Sequence, residues 1–133
     1  MKDKIAFRDP VELRQWHQSR TLEDDSSMFS IAIQILDSWQ FSDEEKALAL
    51  GVTEGDFKNT LGGRLTVDQR TRVSLILGMH KGLSTLLLQK QHHIEWIAHG
   101  NKAFDNYSPK EMLLSGSLMD MYDIRRYLDS QCG

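Results

Sequence analysis

The feature that most constrains this chain is a repeated helix-start signal. At Ser42/Glu45, Thr53/Asp56, Thr66/Gln69, Ser108/Glu111 and Ser117/Asp120, a hydroxyl residue is followed three positions later by an acid or amide. That spacing lets the two side chains and the orphan backbone donors of a helix N-terminus satisfy one another. The only two prolines, Pro10 and Pro109, each follow a residue able to cap a helix, Asp9 and Ser108, and fit a first helical turn. No stretch alternates apolar and polar residues long enough to make a strand, whereas helical spacing also recurs over residues 10–19, 27–40 and 90–99. The expectation is an all-α fold of about eight helices joined by short loops.

A chain of 133 residues, 40% hydrophobic and 26% charged, is one domain's worth of material or two small helical units sharing a core. The single cysteine, Cys132, allows no intrachain disulfide and no cysteine-rich zinc site, and is expected to be a free thiol in a reducing cytoplasm. No run approaches the ~18 apolar residues of a membrane span. The segment MKDKIAFRDP lacks the apolar stretch of a signal peptide, so the expected location is the cytoplasm. Three regions are expected. Residues 1–28 form an arm with one short helix and a polar linker ending in EDDSS, residues 29–65 a helix-turn-helix-like unit, and residues 66–133 a C-terminal helical unit packed with it.

The longest helix is expected over residues 67–88, where Val73, Ile76, Leu77, His80, Leu83 and Leu87 share a stripe and mark the spine of the fold. Gly78 and Gly82 lie inside it, each costing about 1 kcal/mol against alanine. A close helix crossing would offset that cost; a hinge is the alternative.

Residues 43–60, DEEKALALGVTEGDFKNT, have the grammar of a helix-turn-helix. Ala47 and Leu50 face inward, Gly51 makes the turn, Val52 packs between helices, and Thr53 caps a second helix with Phe57 and Leu61 inward. Candidate DNA contacts are Thr53, Lys58 and Asn59, followed by Arg64, Arg70 and Arg72. Residues 42–63 carry five acidic and two basic side chains, which oppose a polyanion. Residues 64–91 hold five basic side chains against one acid, either a phosphate-tracking face or a solvated helix surface.

Catalytic constellations are thin. His92, Glu95 and His99 share a helical face in QHHIEWIAH but lack zincin spacing, and GDFKNTLGGR lacks the lysine and hydroxyl order of a phosphate loop. No nucleophile-elbow spacing occurs. An enzyme, a metal or a cofactor is not expected, and Trp16, Trp39 and Trp96 are read as core residues.

Near the C-terminus, NKAFDNYSPKEMLLSG packs a loop aromatic, Phe104, between a glycine stop and a capped, proline-started short helix ended by Gly116. Ser117 then starts the last helix, with Leu118, Met121, Ile124 or Arg125, and Leu128 inward. Arg125 and Arg126 are either solvated cations favourable to a helix C-terminus or interface anchors, and Tyr122 and Tyr127 widen the stripe.

Asn101, Phe104, Ser108, Pro109, Leu113, Leu114, Gly116 and the closing RRYL at 125–128 form a spaced set. It resembles the toxin-binding domain of the MbcA/ParS/Xre antitoxin family. LTVDQRTRVSLILG resembles that family's long helix, and ILDSWQFSDEEKALALGV its helix-turn-helix, so the resemblance covers about residues 29–130. It implies the antitoxin of a two-gene module that neutralises a RES-domain, NAD-consuming toxin by covering its active site, with a homodimer that represses its own promoter DNA. Toxin contact is thereby carried onto Arg125, Arg126, Tyr127 and a tail of Ser130, Gln131, Cys132 and Gly133. Support of the loop is carried onto Asn101, Phe104, Ser108, Pro109 and Gly116. Where relatives tend to have glycine, this chain has Asp105, Asn106 and Tyr107; asparagine tolerates a left-handed backbone better than most residues. The helix-turn-helix grammar by itself also fits a stand-alone transcriptional regulator.

Overall fold

A computed structural model describes residues 10–57, residue 60 and residues 63–133. The fold is all-α, with seven α-helices among the described residues: α1 (Pro10–Ser19), α2 (Leu22–Ser38), α3 (Asp43–Leu50), α4 (Val67–Leu86), α5 (Lys90–Ala98), α6 (Pro109–Leu114) and α7 (Leu118–Cys132). Short 3-10 turns at Glu54–Asp56 and Lys102–Phe104 complete it. No described helix is long and apolar enough to cross a membrane.

The capping grammar explains most of these starts. Ser42, Thr66 and Ser108 each close a reciprocal box, with Glu45, Gln69 and Glu111. Ser117 caps α7 from one side only, because the Asp120 carboxylate accepts from the Ser115 hydroxyl instead. Thr53 does not cap a backbone donor; its hydroxyl donates to the Asp56 carboxylate at 2.6 Å, and the chain enters a 3-10 turn.

One expected boundary is wrong. EDDSS is not a linker but the opening of α2, because Thr21 and Asp24 form a further capping box and Asp25 is drawn into the core. A division at 28/29 therefore cuts a continuous helix.

Helix stops are as specific as the starts. At α3, Gly51 has φ +70°, Val52 N–H donates to the Ala47 carbonyl and Gly51 N–H to the Leu48 carbonyl, the paired bonds of a Schellman motif. The end of α2 has the same pattern, Phe41 to Leu36 and Gln40 to Asp37, with Gln40 at φ 67°.

α4 is the spine. It packs most extensively on α7 and next on α2, and its Val73, Ile76, Met79 and Leu83 are fully buried. Each such side chain contributes about 1.5–3 kcal/mol relative to exposure. The two glycines mark the α7 crossing. A Cβ on Gly82 would sit 3.2 Å from Leu128 Cβ, and one on Gly78 would overlap the Arg125 guanidinium. Close approach of α7 accounts for both.

Candidate functional site

The C-terminal site is a loop and a helix locked by aromatic rings. Asn101 organises the loop: its Oδ1 accepts from Ala103 N–H at 2.9 Å, and its carbonyl accepts from Phe104 and Asn106 N–H. Asp105 and Asn106 take φ of 53° and 70°, so these two residues adopt the left-handed turn without a glycine. Gly100 lets the loop close, because a Cβ there would collide with the Asn106 carbonyl oxygen.

That turn drives Phe104 inward, where it is buried edge-on to Trp96 (6.2 Å between centroids) and to Tyr127 (5.3 Å). Trp96 and Tyr127 stack at 6.4 Å. The loop, α5 and α7 therefore share one aromatic cluster; such pairs contribute about 0.5–1.5 kcal/mol beyond burial. Ser108 and Pro109, both buried, start α6, and Gly116 at φ 77° turns the chain into α7.

The predicted toxin contacts divide by orientation. Arg126 is exposed, its guanidinium 5.8 Å from the Tyr122 ring centre. With Phe104, Tyr107, Met112, Tyr127 and Ser130 it lines a shallow concavity of ≈ 990 Å³. Arg125 points the other way: it fills the Gly78 notch, binds Asp129 at 3.1 Å and is only 14% exposed along its side chain. Ser130, Gln131 and Cys132 are not an extended tail, since α7 runs through Cys132 and the Cys132 thiol rests 3.8 Å from the Gly82 carbonyl. Gly133 caps the helix.

The predicted DNA contacts fare worse. Arg70 is 3% exposed and its guanidinium is committed inward, to both Asp25 oxygens (2.9 and 2.8 Å), the Leu65 carbonyl and His17 Nδ1. Arg72 is 9% exposed and bridges Asp68 (2.9 Å) to the Gly116 carbonyl (2.7 Å). Neither can reach a phosphate. The basic excess over residues 64–91 is therefore not one surface, because Arg70 turns to Asp25 of α2 and Arg72 to the Gly116 carbonyl ahead of α7. Arg64 is half exposed but donates to the Arg20 carbonyl at 2.6 Å. Thr53 is exposed. Lys58 and Asn59 lie outside the described residues.

Asp25 is fully buried, a feature that sequence patterning missed. Burial raises its pKa, but hydrogen bonds from Arg70 and the Leu65 N–H, with the charges of Arg70 and Arg64, hold it below the usual 3.8. The signal was an Asp–Arg pair 45 residues apart, which no local spacing reveals.

Among the histidines, His93 Nε2 donates to the Leu87 carbonyl at 2.6 Å and lies edge-on to His80. His99 Nδ1 donates to the Glu95 carbonyl at 2.7 Å. No group of three or more His, Cys, Asp or Glu is placed to hold a metal among the described residues.

No protein-family model and no solved structure matches the chain. It is similar to the uncharacterized protein y4oB of Sinorhizobium fredii, 34% identical over 103 residues, which are 75% of this chain and 80% of that protein. The chain belongs to that protein's family.

Proposed function

For this member of the y4oB family we propose the role of antitoxin in a toxin–antitoxin module, neutralising a RES-domain, NAD-consuming toxin by covering its active site. The observation that carries this reading is the Phe104–Tyr127 contact. It joins the loop markers Asn101, Phe104, Ser108 and Pro109 to the RRYL helix, so residues scattered in the resemblance pack into one unit. Occlusion needs no chemistry from this chain, only a surface held at a fixed angle. Arg126, Tyr127 and Ser130 line the exposed side of that surface, while Arg125 seats α7 on α4. A homodimer belongs to the same proposal, and Leu22, Ile31 and Leu48, exposed on α2 and α3, offer it apolar contact area.

Promoter binding is the weaker half of the role, and with it the stand-alone regulator, because Arg70 and Arg72 face inward. The test of the toxin surface is Arg126→Glu, which alters an exposed cation and leaves the core untouched. Affinity for the RES-domain toxin should fall at least about tenfold, about 1.4 kcal/mol, with the circular dichroism spectrum unchanged. Unaltered affinity would remove Arg126 from the contact.

A further inference from the structure

The segment PVELRQWHQS makes α1 a helix with few apolar residues, and none of its residues is buried. Among the described residues it makes no extensive contact with any other helix, and only Arg20 and Thr21 connect it to α2. Its Leu13, Trp16 and His17 nevertheless form one wall of a groove of ≈ 900 Å³. Leu75 of α4 and Met119 and Tyr122 of α7 form other walls, and Met119 is 79% exposed.

A short polar bond ties α1 to the buried body: His17 Nδ1 lies 2.8 Å from Arg70 Nη1. A guanidinium can only donate. His17 Nδ1 is therefore the acceptor, and its ring is neutral with the proton on Nε2. The charges facing it are Arg70 from α4, Asp25 from α2 and Arg20 from the connection; α7 brings Arg125, Arg126 and Asp129 to the same groove. Asp25 offsets part of the Arg70 charge at His17, but less than Arg70 imposes, and its own oxygens are turned to Arg70 and the Leu65 N–H.

We infer that α1 is a strap latched over the α4–α7 groove by neutral His17, and that protonating His17 releases it. A protonated Nδ1 would set N–H against N–H and one cation against another, replacing the bond with repulsion. Partial burial first, and then the Arg70 charge, hold the His17 pKa below its ordinary 6.5. The latched state thus resists protonation, and by linkage protonation weakens the latch. The groove shares Arg126 and Ser130 with the proposed toxin surface, so an open strap would widen that surface. This last consequence rests on the antitoxin reading; the latch does not.

The test is backbone ¹⁵N relaxation on the full chain without partner, followed from about pH 8 to about pH 5 alongside the His17 ring resonances. Order parameters over residues 10–19 should fall from about 0.85 to below about 0.6 as His17 titrates, while residues 67–86 stay rigid. His17→Asn keeps an acceptor towards Arg70 without titrating and should abolish the pH response. His17→Lys should free α1 at both ends of the range. The other four histidines remain in both variants, so an acid response that persists in His17→Asn overturns the latch, as does a rigid α1 around a protonated His17. If α1 opens as described but the RES-domain toxin fails to bind at any pH, the latch stands and the antitoxin reading falls.

Discussion

Asp25→Ala is the perturbation whose cost the structure specifies most closely. Asp25 is 0% and Arg70 3% exposed, and three hydrogen bonds converge on the carboxylate: Arg70 Nε at 2.9 Å, Arg70 Nη2 at 2.8 Å and Leu65 N–H at 3.0 Å. Truncation removes almost no apolar packing, but it leaves a buried guanidinium without its counter-charge and a backbone N–H without an acceptor. Breaking one side of a buried pair costs about 3–5 kcal/mol. That is a large share of the 5–15 kcal/mol typical of a whole domain. With a urea m-value of about 2 kcal/mol/M, the unfolding midpoint should drop by about 2 M. Replacing both partners, Asp25→Leu with Arg70→Met, should recover most of the loss, because the desolvation cost of both charges disappears with them. Urea titration followed by far-ultraviolet circular dichroism reads all three proteins. A midpoint for Asp25→Ala within about 0.3 M of the parent, which is under 1 kcal/mol, would refute the claim that this pair anchors α2 to α4.

Gln40→Gly should stabilise the protein by up to about 1 kcal/mol, since Gln40 holds the left-handed position of the α2 stop at φ 67°; equilibrium unfolding measures the gain. Acid should destabilise in two stages. His17 and His80 both have pKa values lowered by burial, so the folded state binds fewer protons than the unfolded chain and stability falls as pH drops below 6.5. Asp25 and Glu45, also lowered, retain their contribution above their ordinary 3.8 and 4.5 and lose it below. A plot of urea midpoint against pH resolves both stages, and His17→Asn should shrink the first.

Much of this architecture is legible in the sequence where the determinants are local. The Ser42, Thr66 and Ser108 boxes, the Gly51 stop and the close crossing at Gly78 and Gly82 are each written within a few residues. Phe104 is legible as a plug because an aromatic in a polar loop needs cover, and Trp96 and Tyr127 provide it. The misread elements depend on distant partners. EDDSS resembles a linker until Arg70, 45 residues on, draws Asp25 inside. Counting charge along residues 64–91 suggests a basic face, but Arg70 and Arg72 point to different neighbours, α2 and the α6–α7 turn, and both are covered. Likewise RRYL places two arginines side by side in sequence, while the helix sends one into the Gly78 notch and the other to solvent.

The proposed neutralisation of a RES-domain toxin by the Phe104–Tyr127 unit has a cellular readout. The measurement is the NAD content of cells expressing a RES-domain toxin, with and without this chain. NAD should be depleted by the toxin alone and held at the level of toxin-free cells when the folded chain is co-expressed. Equal depletion in both, with the chain present and folded, would contradict it.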